Sequence, residues 1–122
     1  KAQANRGEMP PDKKSEWVDF EIKGIYRHML KEENFHISRL KNFIFILNSI
    51  QDDVDVMEFS PHSIAASIIS IELNSSAKIF THSEISKLTD VSEKDISESF
   101  LIVRQAWEQS PKYVPPEFGP QD

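Results

Sequence analysis

The side chains that most often carry chemistry are scattered in this sequence. None of its four histidines belongs to an H-x-x-x-H or H-E-x-x-H pair of the kind that binds zinc. The chain has no cysteine, which excludes a thiol nucleophile and a cysteine-ligated metal site. It also lacks a glycine-rich phosphate loop and a G-x-S-x-G motif. We therefore expect no catalytic residue, no cofactor and no small-molecule substrate, and we predict a protein that is not an enzyme.

One acidic group could suggest a metal ion. Asp52, Asp53 and Asp55 lie close together in the sequence, and calcium prefers carboxylate oxygens. The twelve-position pattern of an EF-hand, with its central glycine, is missing here. We therefore interpret these residues as an acidic loop and predict no metal site.

Composition sets broad limits on the class of protein. The chain has 122 residues, 39% of them hydrophobic and 28% charged, as in an ordinary globular domain. Its formal net charge of −6 argues against binding to a polyanion without help. No apolar run approaches the roughly 20 residues that span a bilayer, and no apolar signal-peptide region is visible. We expect an intracellular protein that has no membrane partner.

The prolines divide the chain into three parts. Pro61 is the only one of the seven prolines that lies between residues 12 and 110. Because proline breaks a helix interior, long helices are expected in that interval. We predict a flexible N-terminal tail over residues 1–14, one domain over residues 15–110 and a proline-rich C-terminal strap over residues 111–122. Tyr113, Val114 and Phe118 are expected to attach the strap to the domain.

Apolar periodicity and capping residues predict five helices and no strand. The first two are expected over residues 16–31 and 35–52. The third should begin at Pro61 after the N-cap Ser60, and its nearly continuous apolar sequence indicates a buried helix. The apolar face of the first helix is expected to include Phe20, and that of the fifth to include Leu101. Gly24, inside the first helix, is interpreted as a close helix–helix contact.

The last two predicted helices form a helix-turn-helix. Thr81 and Glu84 match a capping box at the start of the fourth helix, and Ser92 with Asp95 repeats the pattern at the start of the fifth. Only Thr89-Asp90-Val91 separates the two helices. A short capped helix, a tight turn and a longer capped helix are typical of this motif.

The charge of the fifth predicted helix affects how strongly this helix-turn-helix would bind DNA. Between residues 92 and 108 the chain has four acidic side chains and only two basic ones, Lys94 and Arg104. Because carboxylates repel phosphate, we expect this helix to bind DNA weakly when alone. Other basic residues form either a solvated helical face or a patch that contacts phosphates or a protein. The candidate contact residues are Lys94, Ser97, Arg104, Lys13, Lys14, Arg27 and Lys31.

Two stretches resemble a known fold. Residues 60–71 (SPHSIAASIISI) are similar to the third helix of a cyclin box, and residues 81–100 (THSEISKLTDVSEKDISESF) to its fourth and fifth helices. The Ser-Pro-x-Ser and Thr-x-x-Glu-Ile elements most resemble the second cyclin-like repeat of the transcription factor IIB family. The resemblance covers residues 58–104 well, and over residues 15–52 it is one of helix number and length.

This resemblance implies a five-helix, cyclin-box-like orthogonal bundle with the third helix at its centre. It implies a nuclear, non-catalytic adaptor that contacts a TATA-binding protein–promoter DNA assembly and helps to recruit RNA polymerase. The family's base-reading positions correspond to Lys94, Asp95 and Ser97. Two alternatives stay open: a cyclin-type regulatory subunit that binds a protein kinase, and an interaction module of a larger complex.

Overall fold

The computed structural model describes residues 14–33, 37–74 and 80–115. This part of the chain is all-α and contains no strand, as predicted. A short 3-10 helix, Val56–Glu58, precedes the third α-helix. The described residues form five α-helices: α1 (Lys14–Glu33), α2 (Ile37–Ile50), α3 (Pro61–Leu73), α4 (His82–Thr89) and α5 (Glu93–Gln109).

Helix α3 is the centre of the domain. It packs against each of the other four α-helices, and Ile64, Ala65, Ile68 and Ile69 are completely buried in it. Ser60 caps its first turn by accepting a hydrogen bond from the Ser63 N–H, and proline occupies the first helical position. The position and burial predicted for this helix are therefore confirmed.

The apolar faces of α1 and α5 differ from the prediction at one residue each. Phe20 is 63% exposed and Leu101 is 56% exposed. The buried residues nearby are Ile22 and Val103, each two positions further along the chain. Two helical positions correspond to a rotation of about 200°, so Phe20 and Leu101 point away from the core. The prediction that they face inward is wrong.

Gly24 does not mark a close contact. A Cβ atom added to it would meet no atom within 4 Å outside its own stretch of helix. The predicted helix–helix approach at this position is therefore also wrong.

The acidic loop after α2 is partly helical. Asp53 accepts a hydrogen bond from the Val56 N–H through its carboxylate, at 3.1 Å. Val56, the first residue of the 3-10 helix, is completely buried. The Asp53 carboxylate therefore caps this turn, whereas the Asp55 side chain makes no capping hydrogen bond. Within the described residues no group of three or more His, Cys, Asp or Glu side chains is arranged to hold a metal ion.

Part of the predicted strap packs on the domain. The Tyr113 ring contacts Trp107 of α5 edge to face, with 5.3 Å between ring centroids. Val114 is 56% exposed, so it does not contribute as predicted. Phe118 lies outside the described residues.

Candidate functional site on the helix-turn-helix

Local hydrogen bonds define the ends of α4 and α5. Thr81 Oγ1 accepts from the Glu84 N–H at 3.1 Å, and Glu84 Oε1 accepts from the Thr81 N–H at 2.9 Å. Asp90 follows the last residue of α4 as its C-cap, and its backbone is left-handed with φ 61° and ψ 32°. Ser92 then accepts from the Asp95 N–H at 3.1 Å and begins α5. The two capped helices and the short connection predicted from the sequence are present, and these contacts define the turn between them.

A small core holds the two helices against α3. Ile85 and Ile96 are completely buried, and Val91 in the turn is 7% exposed. The buried Thr89 hydroxyl donates to the Ile85 carbonyl at 2.8 Å, so it has a partner within its own helix. Leu88 is half-buried against the same core. Helices α4 and α5 are therefore held in place by this core, and the outer side of α5 faces away from it.

A row of side chains connects the start of α4 to the outer side of α5. His82 Nδ1 lies 3.2 Å from Ser97 Oγ, and the His82 and Phe100 rings contact each other with centroids 5.2 Å apart. The Arg104 guanidinium lies over the Phe100 ring, 5.6 Å from its centroid. The structure thus brings together two predicted contact residues, Ser97 and Arg104, through two aromatic side chains that the prediction did not include.

The i, i+3, i+7 spacing of Ser97, Phe100 and Arg104 could have revealed their shared face from the sequence. Nothing in the sequence indicates that His82 joins them, because it belongs to another helix. The four residues His82, Ser97, Phe100 and Arg104 are called the His82 row below.

Both basic residues of α5 are paired with acidic ones. Lys94 Nζ lies 3.4 Å from a Glu98 oxygen, and Arg104 Nε lies 3.7 Å from a Glu108 oxygen. All four side chains are about half exposed or more. Exposed i, i+4 pairs of this kind contribute only about 0.3–0.5 kcal/mol to stability. The two cations of α5 are therefore held in weak, exposed ion pairs.

The remaining predicted contact residues lie elsewhere. Lys14 Nζ donates to the Met57 and Phe59 carbonyls at 2.7 and 3.1 Å, which ties α1 to the end of the 3-10 helix. Arg27 is exposed on α1. Lys31 lies within α1, but its side chain is outside the described part, as is the whole of Lys13. Among the α1 residues, Lys14 thus has a structural contact and Arg27 a surface position.

A further polar cluster joins α2 to the end of α3. Arg39 Nη1 lies 3.1 Å from Glu72 Oε2, and Asn42 Nδ2 donates to the same oxygen at 2.8 Å. Arg39 also donates to the Glu72 carbonyl at 3.2 Å. Because Glu72 is only 9% exposed, its charge requires these partners. The cluster links α2 to α3 and gives the buried Glu72 carboxylate its partners, and no local sequence pattern predicted it.

Among the helices that the structure describes, none is long and apolar enough to cross a membrane. Comparison of the sequence and the structure with protein-family models, curated proteins and solved structures finds no match.

Proposed function

We propose that this chain is a cyclin-like domain of a transcription factor IIB-like adaptor. In this role it acts in the nucleus, contacts a TATA-binding protein–promoter DNA assembly and helps to recruit RNA polymerase. The observation that carries the proposal is the helix-turn-helix of α4 and α5, capped at Thr81 and Ser92 and packed on the buried helix α3. Its sequence is also the part that resembles the transcription factor family.

The geometry of α5 supports DNA contact near its first turns. In helix-turn-helix proteins the second helix enters the major groove and uses its N-terminal residues. Lys94 and Ser97 lie in this part of α5 and are exposed. The His82 row continues along the same helix and ends in the Arg104 guanidinium. One face of α5 therefore carries hydrogen-bonding groups and two cations.

The charge of α5 supports an adaptor rather than an independent DNA-binding protein. Its four carboxylates exceed its two cations, and both cations are paired within the helix. Electrostatic attraction to phosphates supplies most non-specific affinity for DNA. A domain of this charge consequently needs a protein already bound to the promoter, which is the role proposed for the TATA-binding protein.

A gel-shift titration at two salt concentrations tests the proposal. Promoter duplex is titrated with the chain, with and without a TATA-binding protein. We expect a supershift only in the presence of that protein, and we expect it to weaken as salt rises. Absence of a supershift at low salt would overturn the proposal, and a kinase pull-down would then test the cyclin-type alternative.

A charge variant of α5, with a matched control on α1, tests whether the DNA contact involves Lys94. Glu98→Gln removes the partner of Lys94 and one negative charge from α5. If Lys94 then gains a phosphate contact, the salt dependence steepens by about 0.9 in log–log slope. Glu16→Gln makes the same charge change at an exposed position of α1. Equal effects of the two variants would show that net charge, and not the α5 face, controls binding.

A further inference from the structure

The C-terminal end of α5 is closed by a tight turn that starts at Ser110. The Tyr113 N–H donates to the Ser110 carbonyl at 3.0 Å, and the Lys112 N–H donates to Ser110 Oγ at 3.0 Å. Pro111 occupies the second position of this turn, where its fixed φ is favoured. Ser110 itself is extended, with φ −71° and ψ 141°, and it is partly exposed.

This turn holds the Tyr113 ring over Trp107. Trp107 is only 6% exposed, and its ring contacts Tyr113 on one side and Phe45 of α2 on another, the latter at 5.9 Å with an interplanar angle of 89°. The Tyr113 ring thus covers Trp107 where this residue contacts Phe45, between α5 and α2. Opening the turn would expose Trp107.

Ser110 lies among negatively charged groups. The residue borders a groove of about 290 Å³ that Asp52 and Asp53 also line. Helix α2 ends at Ile50 and α5 ends at Gln109, and both of these residues line the groove as well. Each helix C-terminus adds a partial negative charge of about half an electron. The neighbouring cation on the turn is Lys112, whose side chain is exposed.

We propose that Ser110 is a phosphorylation site for a proline-directed Ser/Thr kinase, and that its phosphate opens this turn. Such kinases act on a serine followed directly by proline, a pair that favours extended backbone at the serine. The Ser110 oxygen attacks the γ-phosphorus of ATP, the bond from that phosphorus to the ADP oxygen breaks, and the hydroxyl proton passes to the kinase's base. The products are phosphoserine and ADP.

The phosphate would be poorly tolerated in the closed turn. It adds a charge of about −1.5 to −2 beside two carboxylates and two helix C-termini, where negative charge is repelled. Lys112 can offset only part of this charge. The repulsion therefore moves the turn away from the groove, separates Tyr113 from Trp107 and creates an exposed aromatic patch. This inference is independent of the proposed promoter function.

The chain contains a second Ser-Pro pair that serves as an internal comparison. Ser60 Oγ caps α3, and Pro61 is already the first residue of that helix. Ser60 is itself exposed, but a kinase must bind the residues that follow it in an extended form, and from Ser63 onward these are buried in α3. The described residues that follow Ser110 belong to no helix, and Pro111, Lys112 and Val114 are exposed. We therefore expect the folded chain to be modified at Ser110 and not at Ser60.

The first test is direct phosphorylation of the intact chain. It is incubated with a proline-directed kinase and ATP, and the modified residue is located by mass spectrometry. We expect phosphate at Ser110, and we expect Ser110→Ala to abolish it. Phosphate at Ser60 alone, or none on the folded chain, would overturn the proposal.

The second test measures the opening of the turn. Trp17→Phe leaves Trp107 as the single tryptophan, so that its fluorescence reports on the cover. Phosphorylation should shift its emission to longer wavelength and increase its quenching by acrylamide. Treating the Ser110→Ala variant with the same kinase should change both signals much less. Asp52→Asn should reduce the effect of the phosphate, because it removes one repelling charge. Unchanged emission after complete phosphorylation would overturn the proposed opening.

Discussion

Ser67 of α3 and Ser99 of α5 are joined by a buried hydrogen bond, with 2.7 Å between their hydroxyl oxygens. Both residues are completely buried. Ser99 Oγ also lies 3.0 Å from the Asp95 carbonyl of its own helix and 3.4 Å from the Ser63 carbonyl of α3. Ser99 can therefore donate to a carbonyl while it accepts from Ser67. Small side chains let the two helices approach closely here, and the hydroxyls satisfy one another.

This arrangement predicts unequal effects of two similar substitutions. Ser99→Ala deprives the buried Ser67 hydroxyl of its partner, which should lower the free energy of unfolding by about 1–2 kcal/mol. Ser67→Ala should cost less, under about 1 kcal/mol, because Ser99 keeps the Asp95 carbonyl. Urea unfolding of the two variants and of the double variant measures both values. A larger loss for Ser67→Ala would contradict this assignment of donor and acceptor.

The features predicted correctly from the sequence are the local ones. Thr81 with Glu84, and Ser60 before Pro61, specify helix starts within four residues, so their contacts depend little on the rest of the fold. The burial of α3 was also predictable, because its apolar residues leave almost no polar face. The caps at Thr81 and Ser92 were sufficient to predict the two helices that form the candidate site.

The features that were missed depend on tertiary contacts. The contact between His82 and Ser97 joins side chains on two helices, and the pair of Arg39 and Glu72 spans 33 residues. The errors at Phe20 and Leu101 have another cause. An apolar residue two positions from a core residue looks like part of a stripe in the sequence but lies on the opposite side of the helix.

Gly24 offers a stabilising substitution. It lies inside α1, and an added Cβ would meet no atom within 4 Å beyond its own stretch of helix. Glycine in a helix interior costs about 1 kcal/mol relative to alanine. Gly24→Ala should therefore raise the free energy of unfolding by about this amount, as measured by urea denaturation. A destabilised variant would show that α1 packs more closely against a neighbour than the structure indicates.

Tyr26 carries a buried hydroxyl that has no hydrogen-bond partner among the described residues. The side chain is only 3% exposed. A buried unsatisfied polar group costs about 1–3 kcal/mol, so Tyr26→Phe should stabilise the fold, by about 1 kcal/mol after small packing losses. Tyr113→Phe is the matched control, since Tyr113 is only half-buried, and it should change stability little. Thermal melting of both variants checks the difference, and a lower melting temperature for Tyr26→Phe would refute it.

Asp90 determines the sharpness of the turn between α4 and α5. Its φ of 61° is the only positive value among the described non-glycine residues, and its N–H closes α4 by donating to the Ser86 carbonyl at 2.8 Å. Glycine adopts this left-handed backbone without a Cβ penalty, whereas alanine bears that penalty without the local polar contacts available to aspartate. Asp90→Gly should thus raise the free energy of unfolding by up to about 1 kcal/mol, and Asp90→Ala should lower it by a similar amount. Chemical denaturation of the two variants should give opposite signs. Equal signs would mean that the side chain of Asp90, rather than its backbone conformation, controls the stability of the turn.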